Sequence, residues 1–283
     1  MRNHRTEFPI WKMANVFKVS RSGYYKFINN KPGKRMLNRM KLREEVCSIF
    51  ESHKGRYGSP RITAELKDRD YVCSRRMVTN IMKQANLVPK AKVKKKQTTD
   101  SNHSKDTAPN ILKDVSVTTP NQAWVSDITY VRTQEGWLYL AVILDLFTRK
   151  VVGWATSDRM KTELITKALW RSVKNALPTT KVIFHSDRGS QYASRDFRYV
   201  LNQHGFIQSM SAKGYCYDNA YAESFFHTIK VELIHSEIYK TRSQAHASIF
   251  EYIELYYNRK RKHSSLGYRT PAEFEKEFFR LCA

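Results

Sequence analysis

Cysteine is scarce in this chain, which has only four cysteines among 283 residues. Cys47, Cys73, Cys216 and Cys282 are far apart, and no C-x-x-C pair occurs. Zinc knuckles and disulfide frameworks need closely or regularly spaced cysteines, so the sequence indicates neither kind of site. We expect reduced thiols and a cytoplasmic protein.

Long apolar runs are also missing. No segment approaches the ~18 residues that a membrane-spanning helix needs. The N-terminus has no apolar core of the kind found in signal peptides. We therefore expect no membrane partner and no export.

Acidic residues are few compared with basic ones. Lysine and arginine number 50 against 26 aspartates and glutamates, which gives a formal charge of +24 and a pI near 9.9. Such an excess attracts polyanions and favours a nucleic-acid partner over a merely soluble basic protein. The length and the 41% hydrophobic content predict a main core with smaller helical units.

The N-terminal third is predicted to be helical. Residues 11–27 favour two short helices with a turn near Val19 and Ser20 as the cap of the second. Ser59 and Ser74 occupy N-cap positions of later helices. Three further helices are predicted, over about residues 39–54, 60–69 and 75–87.

The last of these helices has an apolar stripe and a basic remainder. The stripe consists of Val78, Ile81, Met82 and Ala85, at i, i+3, i+4 and i+7. Three basic side chains project elsewhere, namely Arg75, Arg76 and Lys83. A trihelical DNA-binding unit and an ordinary helical bundle with a solvated basic face fit this pattern equally well.

The composition divides the chain into five segments. A stretch rich in lysine, threonine, serine and asparagine predicts a flexible basic linker over residues 91–118. The predicted segments are a helix-turn-helix-like N-terminus (1–38), a helical DNA-binding domain (39–90), the linker (91–118), an α/β core (119–240) and a helical basic tail (241–283).

The α/β core alternates strands and helices in a specific order. Three antiparallel strands are followed by a helix, a strand, a helix, a strand and a helix. This order is typical of an RNase-H-like fold, a mixed five-stranded sheet with flanking helices. Other α/β layers share the order.

Three carboxylates fall where this arrangement brings chain ends together. Asp127 lies in the first strand, Asp187 ends the fourth, and Glu223 is in the first turns of the last helix. Carboxylates on apolar strands are costly unless they are paired or bind a cation. Mg²⁺ prefers such oxygens, and two ions can clamp the attacking and leaving oxygens of a phosphoryl displacement. We predict a two-metal site.

Other titratable residues have less specific interpretations. We expect Asp145 to be a strand-end residue paired with Arg149, although the sequence leaves open a role as metal ligand. His185 is predicted to be a hydrogen-bonded histidine at the edge of the core. Glu232 and Asp218 are predicted to face solvent.

Basic residues beyond the triad are candidate DNA contacts. Lys230 follows Glu223 by two helical turns, so both side chains share a face, and we expect the lysine to hold phosphates of a DNA end rather than to be a plain surface charge. The same helix is predicted to pack on the sheet through Ala222, Phe226, Ile229 and Leu233. A second candidate is the loop of Arg259, Lys260, Arg261 and Lys262, between two predicted helices, as a phosphate clamp. Thr270, Pro271 and Glu273 fit a capping box at the start of the final helix.

Five motifs in order resemble a known family. They are "PNQAWVSDITYV", "LAVILDLFTRKVVGW", "FHSDRGSQYAS", "SAKGYCYDNAYAESFFHTIKVE" and "YYNRKRKHSSLGYRTPAEF". The chain resembles the catalytic OrfB proteins of bacterial two-reading-frame insertion sequences, which carry an integrase-type DDE core. "RYGSPRITAEL", "SRRMVTNIMKQANLVPK" and "VSRSGYYKF" extend the resemblance over nearly the whole chain.

The resemblance implies a function and its partners. It implies a transposase with a triad at Asp127, Asp187 and Glu223, Mg²⁺ or Mn²⁺, and a basic residue at Lys230. It also implies action on terminal inverted repeats, and an OrfA-type protein or fusion as a partner. We expect a homo-oligomer on DNA in the bacterial cytoplasm, associated with the nucleoid. Two alternatives stay open: a metal nuclease without joining activity, and a DNA-binding regulator with an inactive core.

Overall fold

The computed structural model describes residues 1–29, 33–90, 107–212 and 220–282. The chain forms two compact units, one of Met1–Gly55 with Ile62–Val88 and one of Arg56–Arg61 with Pro89–Ala283. The five-segment division is finer than these two units, and its boundaries stay predictions. In the described part, no helix is both long enough and apolar enough to span a bilayer.

The N-terminal third is helical, as predicted. Ser20 caps α2 by accepting a hydrogen bond from the Gly23 backbone N–H at 3.0 Å, and Ser74 caps α5 by accepting one from Met77 at 3.2 Å. Ser59 is the first residue of α4 rather than its cap. The helices are α1 (Ile10–Val16), α2 (Arg21–Ile28), α3 (Lys34–Ser52), α4 (Ser59–Asp68) and α5 (Arg75–Gln84).

The apolar stripe of α5 is buried as its periodicity predicts. Val78, Ile81 and Met82 are buried, whereas Ala85 is the C-cap and is partly exposed. The buried positions of α3 are Leu42, Val46 and Ile49. The basic side chains of α5 that we singled out, Arg75, Arg76 and Lys83, are all exposed.

The second unit is built on a mixed five-stranded sheet. The strands are β1 (Ala123–Thr133), β2 (Gly136–Asp145), β3 (Val151–Ser157), β4 (Ile183–Ser186) and β5 (Ile207–Met210). Their order is β3-β2-β1-β4-β5, with β1, β2 and β3 antiparallel and β4 parallel to both β1 and β5. The strand order confirms the RNase-H-like fold.

Helices flank this sheet. α6 ends at a left-handed Leu177, and the predicted capping box of α10 is formed, since Thr270 N–H donates to Glu273 and Glu273 N–H donates to Thr270. The helices are α6 (Thr162–Ala176), α7 (Arg195–Gln203), α8 (Ala220–Glu232), α9 (Arg242–Phe250), a π-helix (Glu251–Tyr257) and α10 (Pro271–Cys282). Short 3-10 helices occur at Arg2–His4, Leu112–Asp114, Ile234–Ser236 and Ser264–Leu266.

Part of the predicted linker packs on the sheet. Residues 91–106 lie outside the described residues. Further along, the backbone N–H groups of Ile111 and Leu112 donate to Ser209 of β5 at 3.0 and 3.2 Å. The Met210 N–H donates to the carbonyl of Pro109. Residues 109–112 thus extend the edge of the core.

Gly153 allows α6 to approach β3 closely. A Cβ at this position would lie 2.5 Å from the Ala168 carbonyl oxygen and would also collide with the Ser172 side chain. We expect Gly153→Ala to lower the free energy of unfolding by about 1–3 kcal/mol through overpacking. Urea unfolding followed by tryptophan fluorescence measures this. Gly33→Ala is the control, because nothing lies within 4 Å of its added Cβ; equal stability of both variants would contradict the prediction.

Candidate active site

Two parallel strands bring Asp127 and Asp187 side by side. The register pairs Ser126 of β1 with Ser186 of β4, and each aspartate is the next residue along its chain. Asp127 Oδ1 accepts a hydrogen bond from the Ile128 N–H at 2.7 Å, and Asp187 Oδ1 accepts one from Gly189 at 2.9 Å. The turn after β4 therefore fixes the orientation of Asp187.

Asp127 is electrostatically coupled to both other predicted triad members. Its burial raises its pKa, the negative charge of Asp187 raises it further, and Glu223 adds a smaller increase, so the pKa reaches about 8. The Ile128 N–H and the Lys230 ammonium oppose this rise. Residues in β1, directly after β4 and in α8 therefore act on one carboxylate.

The donor chemistry fits a divalent metal, although the geometry is not that of a closed ligand cage. Among the residues that the structure describes, no three acidic, histidine or cysteine side chains are grouped closely enough to hold an ion. The coupled oxygens of Asp127, Asp187 and Glu223 are nevertheless the hard ligands that Mg²⁺ and Mn²⁺ prefer. A cation there would compensate the repulsion that raises the pKa of Asp127.

A buried phenol lies close to the two aspartates. Tyr192 is buried, and its hydroxyl is 2.8 Å from the Ser126 Oγ. Burial raises its pKa, and the negative charges of Asp127 and Asp187 raise it further, so the phenol stays protonated. Sequence reasoning missed this residue, because nothing in the pattern of the loop after Asp187 distinguishes an inward tyrosine.

Helix α8 packs as predicted and brings Lys230 near β1. Its four predicted packing residues, Ala222, Phe226, Ile229 and Leu233, are buried. The Lys230 Nζ lies 5.4 Å from the centre of the Tyr130 ring on β1. Its charge acts on Asp127, so the lysine shares the face of Glu223.

Asp145 was predicted to pair with Arg149, but the structure shows other partners for its carboxylate. Its Oδ1 accepts hydrogen bonds from the Thr148 N–H and hydroxyl, and its Oδ2 accepts one from the Asn121 N–H, each at 2.7 Å. The Arg149 guanidinium instead stacks on the Tyr221 ring at 3.7 Å. Asp145 thus ties two turns together and has its oxygens occupied by protein donors.

His185 is a hydrogen-bonded core residue, as predicted. Its Nδ1 is 2.9 Å from Ser209 Oγ, and its Nε2 is 3.1 Å from Ser211 Oγ. Ser209 Oγ already accepts two backbone N–H groups, so its proton is available for Nδ1. The histidine is therefore assigned as the Nε2–H tautomer, which donates to Ser211.

Glu232 does not face solvent, contrary to the prediction. It is buried, and the Arg261 guanidinium donates to both of its carboxylate oxygens at 2.8–3.0 Å. The Tyr252 hydroxyl donates to Oε2 at 2.8 Å. Burial alone would raise the pKa of Glu232, but the charge and hydrogen bonds of Arg261 outweigh it and lower the pKa. Asp218, which was also predicted to face solvent, lies outside the described residues.

The tail loop is only half available to DNA. Arg261 is buried in the ion pair with Glu232, and Lys262 is buried as well, so neither side chain is exposed in this structure and their contact with phosphates stays a prediction. Arg259 and Lys260 are exposed. A run of four basic residues does not reveal which of them find an internal acidic partner.

Family models match three regions of the chain. Residues 117–216 and 204–271 match integrase core domains, and residues 38–97 match an HTH-like domain. Solved integrase structures are similar only at a low level. The simian T-cell lymphotropic virus intasome with PP2A regulatory subunit B56 gamma has 13% identity, a TM-score of 0.46, and coverage of 81% of this chain and 74% of that one.

Curated relatives match nearly the whole chain. The uncharacterized 31 kDa protein of insertion element IS600 from Shigella sonnei is 42% identical over 96% of this chain and 100% of that protein. Transposase InsF of insertion sequence IS3A from Escherichia coli K12 is also 42% identical, over 96% of each chain. With its integrase core and HTH-like domain, the chain belongs to the insertion-sequence transposase family that includes InsF.

Proposed function

We propose that this transposase cleaves DNA at the terminal inverted repeats of an insertion sequence and joins the freed 3′ ends to target DNA. The single observation that carries the proposal is that the parallel register of β1 and β4 places Asp127 beside Asp187, where burial first and then the charges of Asp187 and Glu223 raise the pKa of Asp127 to about 8. Such repulsion is costly in a purely structural cluster and useful in one that binds cations.

The residues of the site have distinct roles in this reaction. Asp127, Asp187 and Glu223 would hold the metal ions. Bound Mg²⁺ or Mn²⁺ would supply a lowered pKa for water and charge stabilisation on the attacked phosphate. The Ile128 and Gly189 N–H groups orient the two aspartates. Lys230 holds a phosphate of the DNA end.

The partners follow from the same proposal. The exposed Arg75, Arg76 and Lys83 of the HTH-like domain, with Arg259 and Lys260 of the tail, contact DNA phosphates. The chain works as a homo-oligomer on the two ends of the element, with an OrfA-type protein or fusion as a further partner. The place of action is the bacterial cytoplasm, at the nucleoid.

A strand-transfer assay tests the proposal. The full chain is incubated with Mg²⁺, a pre-cut duplex oligonucleotide ending in the element's terminal repeat, and a plasmid target. We expect products in which the oligonucleotide 3′ end is joined to the plasmid. Hydrolysis without joining would instead identify a nuclease, and binding without either reaction would identify a regulator.

Lys230 is expected to contribute DNA affinity rather than chemistry. Lys230→Gln removes one phosphate contact, so the slope of log affinity for the terminal duplex against log salt should fall by about 1. Fluorescence anisotropy at several salt concentrations measures this slope.

Two control variants complete this test. Lys240→Gln removes the same charge from an exposed site and should leave the slope nearly unchanged. Lys230→Arg should restore it. Identical slopes for Lys230→Gln and Lys240→Gln would remove Lys230 from the DNA interface.

A further inference from the structure

Beside the start of α8, the second unit contains a cavity of about 300 Å³. Its walls come from the segment 110–117, from the turn between β2 and β3, and from Tyr221 of α8. The described lining residues include two cations, Lys113 and Arg149, and no carboxylate. Asn110 adds a polar side chain, and four apolar side chains complete the lining beside Tyr221, namely Leu112, Val115, Val117 and Leu146. The cavity therefore combines an apolar surface with positive charge.

Arg149 has unused hydrogen-bonding capacity in this cavity. Its guanidinium stacks on the Tyr221 ring at 3.7 Å, and its buried Nη1 has no hydrogen-bond partner. A buried donor without an acceptor is costly, and an anionic oxygen would satisfy it with a strong, charge-assisted bond. Lys113 is exposed, and its contact with Asp114 is long, at 3.9 Å.

The backbone of Arg149 has a conformation that is unusual for a residue with a side chain. Arg149 adopts a φ of 60°, in the left-handed region. This conformation is unfavourable for a residue with a side chain, whereas a glycine adopts it without strain. The guanidinium thus occupies a position where the backbone alone favours another residue.

We propose that this cavity binds one unpaired nucleotide of the DNA strand, an inference that rests on the proposed function. The base packs on the apolar wall and on the Arg149–Tyr221 stack, since bases stack on aromatic rings and on guanidinium planes. The phosphate accepts hydrogen bonds from Arg149 and Lys113. The volume is at the lower limit of small-ligand pockets and suits a single nucleotide.

The position of the cavity connects it to the active site. Tyr221 lies two residues before Glu223 on the same helix. Residues two apart on a helix do not share a face, so the cavity is separate from the triad, and a nucleotide held against Tyr221 would fix the DNA strand at the same end of α8 as Glu223. This arrangement would select DNA ends in which one nucleotide is free of its partner strand.

Binding measurements without metal test the inference. The full chain, in EDTA, is titrated with single-stranded oligo(dT) of 12 nucleotides and with the matching dA·dT duplex. We expect Arg149→Met to weaken single-strand binding by about tenfold and Tyr221→Leu by about five- to tenfold, with little effect on duplex binding. When the chain is irradiated with oligonucleotides that contain 5-iodouracil, the modified base should form a crosslink to Tyr221.

The controls separate this cavity from general charge and from folding. Lys174→Met removes one charge from an exposed position on α6 and should lower single-strand and duplex binding slightly and equally. Tyr221 is 47% exposed, so Tyr221→Leu remains informative if Arg149→Met does not fold.

Two results would overturn the inference. One is single-strand affinities of the folded variants that equal that of Lys174→Met; the other is crosslinks that map outside the cavity. Either result leaves strand transfer by the wild-type chain untouched. A failure of strand transfer with the expected binding would remove the proposed function alone.

Discussion

Asp187→Asn is expected to lower the rate of strand transfer by at least about 1,000-fold, because the loss of several kcal/mol of transition-state stabilisation has an effect of this size. The amide is nearly isosteric and can still accept the Gly189 N–H, which now binds Asp187 Oδ1 at 2.9 Å. The fold and the DNA affinity should therefore survive. Pre-cut terminal duplex and Mg²⁺ measure the rate, and anisotropy measures the affinity.

Asp158→Asn is the matched control for this prediction. The substitution is chemically identical, but Asp158 is exposed in the turn after β3. Its strand-transfer rate should equal that of the wild type. If Asp187→Asn retained full joining activity, Asp187 would not be a metal ligand and the proposed mechanism would be lost.

Asp127 and Asp187 illustrate what the sequence could predict. The apolar runs around Asp127 and Asp187 predicted adjacent strands, and the parallel register of β1 and β4 follows from that order. Helix caps were equally local, since Ser20 and Ser74 each bond to a backbone N–H only three residues further along the chain. Predictions that depend on strand order, and most helix caps, were therefore successful, whereas Ser59 is the first residue of its helix and not its cap.

Predictions about charged side chains failed where the partner is distant in sequence. Glu232 follows Phe225 and Ile229 at helical spacing, so the periodicity of α8 alone indicated a buried position. Its charge argued for solvent, because an unpaired carboxylate is rarely buried. The partner Arg261 lies 29 residues away, in a run of four basic residues, and no local pattern identifies it. Asp145 was misassigned for a mixed reason, because Oδ2 accepts from Asn121, 24 residues away, while Oδ1 accepts two hydrogen bonds from the nearby Thr148.

Glu232 also contacts residues from both chain segments that connect the two units. The backbone carbonyl of Glu232 accepts hydrogen bonds from Arg56 Nε at 3.1 Å and from Lys90 Nζ at 3.0 Å. Arg61 lies 3.5 Å from its carboxylate. The end of the helix that carries Glu223 and Lys230 is thus anchored by residues of the second unit that flank Ile62–Val88 in sequence.

The Glu232–Arg261 pair is expected to show a large stability effect and strong coupling. Glu232→Met leaves Arg261 buried without its anion, and Arg261→Met leaves Glu232 without its cation, so each should lower the free energy of unfolding by about 3–5 kcal/mol. The double variant removes both charges of this pair, and of the neighbouring cations only the partly buried Arg61 then lacks the carboxylate that lay 3.5 Å away. The loss in the double variant should therefore be much smaller than the sum of the two single losses. Urea unfolding followed by tryptophan fluorescence reports mainly on the second unit, which contains four of the five tryptophans.

The Glu232–Arg261 pair should also make the stability of the second unit sensitive to acid. The exposed Arg269–Glu277 pair is the reference for both the loss of stability and the acid sensitivity. Because Glu232 has a lowered pKa in the folded state, its stabilisation is fully present above the ordinary glutamate value of 4.5 and is lost as the pH falls through the folded pKa. Glu277→Met breaks the exposed Arg269–Glu277 pair at 2.9 Å and should cost no more than about 1 kcal/mol. Glu232→Met should also flatten the loss of stability at low pH, while Glu277→Met should leave that loss unchanged. Additive losses in the double variant, or equal acid sensitivity of Glu232→Met and wild type, would show that the pair does not stabilise the end of α8.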